Sequence, residues 1–170
     1  MNVPRIIKDY KIYLKEEDIL NRIQDRIRWP KEYPWGQPSI EAVKKDGLKH
    51  QNFFNEDAYV NSNECIKYYE SGQTLVISDI GYINTNTSFI QKLLNETYNK
   101  KINCNFYFGK GNKKVSFKKH SHPYAVIIKN IYGDSTWIIN NQNVFVIDKN
   151  IDHEVVSIET PKLSMTINLE

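Results

Sequence analysis

Residues 118–133 read Lys-Lys-His-Ser-His-Pro-Tyr-Ala-Val-Ile-Ile-Lys-Asn-Ile-Tyr-Gly. The run Tyr124–Ile131 is dense in β-branched and aromatic side chains, and the turn Tyr132-Gly133-Asp134 ends it, so it reads as a strand. The same texture extends outward from it. Val115–His120 precedes it, and Ser135–Ile139, Val144–Ile147, Val155–Ile158 and Leu163–Leu169 follow. Asn140-Asn141, Asp148-Lys149-Asn150 and Thr160-Pro161 punctuate these segments. Upstream, Ile102-Asn103-Cys104-Asn105-Phe106-Tyr107-Phe108 alternates before Gly109 and Gly111. Short strands separated by regular turn signals predict a small antiparallel sandwich or barrel.

Before residue 100 the periodicity is mostly helical. Ile19, Leu20, Ile23 and Ile27 recur at helical spacing over Glu16–Arg28, which Pro30 stops. The segment 29–38 holds three prolines together with Trp29, Tyr33 and Trp35. It is expected as a structured loop whose aromatics pack the N-terminal part onto the barrel. Ser39 is expected to cap a short helix over Ile40–Lys45. A helix follows near Glu64–Tyr69, with Ser62 or Asn63 as cap and Gly72 beyond its end. Gln73–Ser78 reads as a strand. Thr87–Tyr98 reads as a helix with Phe89, Ile90, Leu93 and Leu94 on one face. The chain divides into an N-terminal helical and loop extension, 1–70, and a β core, 71–170, within one structural domain.

With 170 residues, 23 Lys+Arg against 20 Asp+Glu and a net charge of +3, the chain suits one globular domain. Its charge calls for neither a nucleic-acid nor a membrane partner. No apolar stretch approaches the ~18–20 residues that span a bilayer. The charged start is unlike a secretory signal, and Cys65 and Cys104 are too few for a disulfide framework. A cytoplasmic, reduced protein is expected, with Cys104 as a buried structural thiol. The lysine pairs at 100–101, 113–114 and 118–119 read as solvated strand ends.

Histidine is scarce: only His50, His120, His122 and His153 occur. His50 reads as an ordinary loop residue. His120 and His122 are two apart, so on a strand their imidazoles face one way. His153 follows His122 by 31 residues, a span that two or three short strands and their turns would fill. A closed antiparallel core would return it beside the first pair, and three imidazoles would bind one divalent metal with positions left open.

From about Tyr69 onward the chain resembles the cupin-like JmjC group of 2-oxoglutarate oxygenases. That group includes the asparaginyl hydroxylase that inhibits hypoxia-inducible factor and the ribosomal oxygenases. Ser71-Gly72-Gln73-Thr74-Leu75-Val76-Ile77 is similar to the group's G-x-T-L-x-L strand, and Asn105-Phe106-Tyr107 to its N-x-Y. His120-Ser121-His122-Pro123 stands where the group has H-x-D. Gly133 and Trp137 resemble its G-x-K-x-W turn. His153 and Leu163-Ser164-Met165-Thr166-Ile167 resemble its distal histidine and L-S-L strand.

The resemblance implies a mainly β, cupin-like double-stranded β-helix (jelly roll) with an N-terminal helical extension. It implies a metal-dependent oxygenase with Fe(II) on His120, His122 and His153. Asn105, Tyr107, Asn130 and Ser135 become candidate pocket residues for a co-substrate. Two departures argue against the usual binding mode of 2-oxoglutarate. His122 replaces the carboxylate ligand, which also makes zinc or nickel plausible, and Ser135 replaces the basic anchor two residues after the turn glycine. Two alternatives follow: a cupin binding module with a degenerate metal site, or a three-histidine cupin enzyme independent of 2-oxoglutarate. The substrate, a small molecule or a protein, is not identified. Cupin-like proteins often form homodimers, and the N-terminal helix offers an interface.

Overall fold

Along Lys162–Leu169 (β9) apolar Leu163, Met165 and Ile167 alternate with Lys162, Ser164, Thr166 and Asn168. A strand sends these two sets to opposite faces. Both sets are buried, so both faces of the sheet are covered. The computed structural model describes residues 3–25, 39–43, 49–50, 53–111, 117–133, 136–137, 143–157 and 160–170. Over these, nine strands, four α-helices and a short 3-10 turn are arranged as a mainly β fold.

The other strands are Ile40–Val43 (β1), Lys49–His50 (β2), Thr74–Ser78 (β3), Asn103–Gly109 (β4), Ala125–Tyr132 (β5), Thr136–Trp137 (β6), Val144–Ile147 (β7) and Val155–Ser157 (β8). Seven of them form one antiparallel sheet in the order β2-β1-β3-β4-β9-β5-β7, while β6 and β8 pair separately. The register lines up rows across the sheet. Leu75 opposes Phe108, which opposes Leu163; Val76 opposes Tyr107, then Ser164, then Asn130.

The first kind of row makes the outer, apolar face. Helices Glu16–Gln24 (α2), Ser62–Glu70 (α3) and Thr85–Tyr98 (α4) cover it. Ile19, Ile23, Tyr69, Ile90 and Leu94 join Ile77, Phe106, Met165 and Ile167 in one hydrophobic core. The Tyr69 ring stacks on Phe108 at 4.2 Å between centroids, and its hydroxyl donates to Glu16 at 2.7 Å, tying α3 to both the sheet and α2. Asn61 and Asn84 cap α3 and α4 by accepting from the N–H groups of Glu64 and Thr87. The short helix Arg5–Asp9 (α1) ends against β5, where the Lys129 ammonium donates to the carbonyls of Ile7, Lys8 and Tyr10.

Three expectations need correction. The cap of α3 is Asn61, not Ser62 or Asn63, which lie inside the helix. Ile40–Val43 is a strand, not a helix capped by Ser39. All four residues are buried, with Ile40 and Ala42 in the outer core and Glu41 and Val43 in the other rows. Two-faced burial over four residues is what a strand between neighbours provides and one helical turn does not. Phe89 lies on the exposed side of α4, 53% accessible, with its ring 5.9 Å from that of Tyr10. Trp29, Tyr33, Trp35 and the expected strand start at 115 lie outside the described residues. Among the described residues no helix is long and apolar enough to cross a membrane.

Candidate metal centre

The inner face of the sheet is polar where the outer face is apolar. Thr74, Ser78, Asn103, Asn105, Lys162, Ser164, Thr166 and Asn168 are all buried on it. At one end, Val126, Ile128, Phe145 and Ile147 form a second, smaller apolar cluster. A cavity lined in part by Thr74, Tyr107, Val126 and Val155 lies between this face and the segment leading into β8.

The histidines stand at that cavity. His120 and His153 form an isolated antiparallel bridge: His120 N–H donates to the His153 carbonyl at 3.1 Å, and His153 N–H returns to His120 at 2.8 Å. Directly opposed residues put their side chains on the same side, and these ring centroids are 4.4 Å apart. The His122 ring lies 4.9 Å from that of His120 and 5.2 Å from that of His153. The Asn150 N–H donates to the His122 carbonyl at 2.7 Å and fastens the second segment to the first. Lys119 and Asp152 form an exposed ion pair at 3.2 Å beside the bridge, which adds little energy.

Ring orientation follows from the backbone. The Nδ1 of His120 is 2.8 Å from the Lys118 carbonyl, and the Nδ1 of His153 is 2.9 Å from that of Ile151. A carbonyl only accepts, so each Nδ1 carries the proton and each Nε2 keeps its lone pair for a ligand bond. Burial lowers the pKa of His153 below the ordinary histidine value, which favours the neutral, ligating form. One ligand atom from each of the three histidines falls within 4.8 Å of the others. Bonds of about 2.0–2.1 Å to a single ion would require these three atoms to draw closer together. The donor set is wholly neutral: no carboxylate belongs to the group among the described residues.

Of the residues expected to line the pocket, Tyr107 lines the cavity, and burial raises its phenol pKa. Asn105 is buried on the same sheet face, opposite Ser78 and Thr166, and Asn130 stands opposite Ser164. The side-chain oxygens of Asn105 and Asn130 are buried without a protein hydrogen bond. Ser135 lies outside the described residues, and His50 is the terminal residue of strand β2. Sequence reasoning overlooked Thr74, Phe117, Val155, Lys162, Ser164 and Thr166, which also line the cavity. Lys162 matters most: it is only 3% exposed, and burial brings its pKa down to about 8. A signal existed in the alternation of 162–168, but its polar half reads as solvent-facing unless the sheet closes on itself.

The fold is a cupin-like jelly roll with three imidazoles lining its cavity. Comparison with solved structures agrees. The ribosomal oxygenase YcfD from Escherichia coli superposes with a TM-score of 0.53 at 10% identity, over 94% of this chain and 44% of that one. Its complex with cobalt and 2-oxoglutarate gives 0.53 at 11% identity, over 94% and 45%. A further YcfD structure gives 0.52 at 13% identity, over 94% and 52%. The chain thus spans about half the length of these structures, and at such identities the likeness is one of fold. No protein-family model and no curated protein matches the sequence.

Proposed function

We propose that the protein is a metal-dependent oxygenase of the cupin and JmjC type, with Fe(II) held by His120, His122 and His153. The observation that carries this reading is the convergence of three imidazoles at the mouth of a buried cavity in a jelly roll. Held by these three histidines, ferrous iron would supply the redox chemistry that activates dioxygen. The chain's own residues do the rest. The carbonyls of Lys118 and Ile151 hold two imidazoles in the ligating tautomer. Phe117, Val126, Ile128 and Val155 give the cavity apolar walls that exclude water, and Thr74, Tyr107, Ser164 and Thr166 offer hydroxyls that orient a polar ligand.

The test is metal analysis of untagged protein, followed by Fe(II)-dependent oxygen consumption with a panel of 2-oxo acids. Stoichiometric iron and oxygen uptake, both lost in His120→Ala and His153→Ala, support the reading. Protein that takes up no iron under anaerobic reconstitution overturns it. The neutral residue at His122 favours a second reading, a three-histidine cupin that binds zinc or nickel without oxygen chemistry. Metal uptake without oxygen consumption would select it.

A further inference from the structure

His120, His122 and Tyr124 recur at every second residue, a spacing that sends side chains to one side of an extended chain. Their rings follow one another in space. The His120 and His122 centroids stand 4.9 Å apart with the planes at 82°, and those of His122 and Tyr124 stand 5.2 Å apart at 13°. The second pair is thus nearly parallel, at a separation that suits offset stacking. Tyr124 does not line the cavity. Its ring packs on the cluster of Val126, Ile128, Phe145 and Ile147, so it stands behind His122 on an apolar base.

The backbones of the three histidines are held. His120 and His153 share their bridge, and His122 accepts from Asn150 and precedes Pro123, which restricts the residue before it. A held backbone leaves the side-chain torsions of His122 to be set, and the face of Tyr124 selects one ring plane. Charge gives the same ring a second effect. The donor set is neutral, so no ligand offsets the charge of a divalent ion as a carboxylate would. An imidazole that gives its lone pair to a cation takes up part of the positive charge. The face of an aromatic ring attracts positive charge within about 6 Å.

We propose that Tyr124 is a positioning residue of the histidine centre: its ring fixes the plane of His122 and stabilises the charge that this imidazole acquires on binding a divalent ion. This inference rests on the metal-site reading above.

The experiment is titration of untagged, metal-free protein with cobalt(II). A competing chelating dye reports affinity, and the visible absorption of cobalt reports coordination. Tyr124→Phe keeps the stacked ring and should bind cobalt within about twofold of wild type. Tyr124→Leu keeps apolar contact with the cluster but removes the ring. Its cobalt affinity should fall about three- to tenfold and its cobalt bands should shift. Affinity and bands both unchanged in Tyr124→Leu overturn the proposal alone, even if the metal-free Tm falls, because that is what a merely structural ring would give. Wild-type protein that takes up no cobalt overturns the metal-site reading, and the proposal with it. If Tyr124→Leu does not fold, protein carrying pentafluorophenylalanine at position 124 is compared with Tyr124→Phe. The ring shape is nearly kept while its face loses its negative character. A loss of cobalt affinity of about threefold or more supports the proposal, and equal affinity overturns it.

Discussion

At the residue scale, three converging imidazoles and one buried lysine set the chemistry of the site. Replacing His122 with Asp adds an anionic ligand to a neutral set, so divalent-metal affinity should increase about tenfold, as read by competition with a chelating dye. Lys162 is also a stability device whose sign can be worked out. Its pKa falls from 10.5 in the unfolded chain to about 8 in the fold, so burial of the charge costs stability. The cost is full below pH 8 and disappears as pH rises towards 10.5, because the unfolded state then binds more protons than the native one. Between pH 7 and 9.5, wild-type stability should rise by about 2 kcal/mol relative to Lys162→Met. Urea denaturation of the two proteins at both pH values measures this, and parallel profiles would mean that Lys162 is not buried as an ammonium.

At the element scale, most strand positions after residue 100 were readable from alternation and turns, although Phe117–His120, expected within a strand, carries only the isolated bridge at His120. Segment Ile40–Val43 was not. Four residues carry no period, and only pairing with β3 makes them a strand. The other end of β5 shows how local chemistry bends a strand. Its register with β9 slips between Asn130 and Tyr132, and Gly133 follows at φ +76°. A Cβ on Gly133 would lie 2.0 Å from the Pro161 carbonyl oxygen. Gly133→Ala must therefore move the backbone before β9, and a loss of about 2–4 kcal/mol is expected in urea denaturation. Lys129, on the opposite face of β5 from Ile128, shows the same alternation used structurally. It gathers three carbonyls at the end of α1, so Lys129→Met should release the N-terminal segment. Faster amide hydrogen exchange over residues 5–12, with the strands unaffected, is the expected result.

At the scale of the whole molecule, the sheet separates two tasks. Its apolar outer face is held to helices by a continuous core, and its polar inner face is free to line a cavity. Sequence periodicity reveals the division of each strand into two sets, but not which set points inward. That depends on closure, a property of the assembled strands. The histidines sit where closure occurs, since the His120–His153 bridge joins the segment leading into β5 to the one leading into β8. A metal ion bound there links parts of the chain about thirty residues apart, which the unfolded chain does not hold together. Binding to the native state alone stabilises it by mass action, about 2.7 kcal/mol at a ligand concentration one hundred times Kd. For a domain of this size that corresponds to a rise in Tm of about 5–10 °C. Saturating cobalt or ferrous ion should produce it, a chelator should reverse it, and His153→Ala should abolish it while retaining the metal-free Tm within a few degrees. A Tm in wild-type protein that does not respond to metal would leave the bridge as a purely structural clasp.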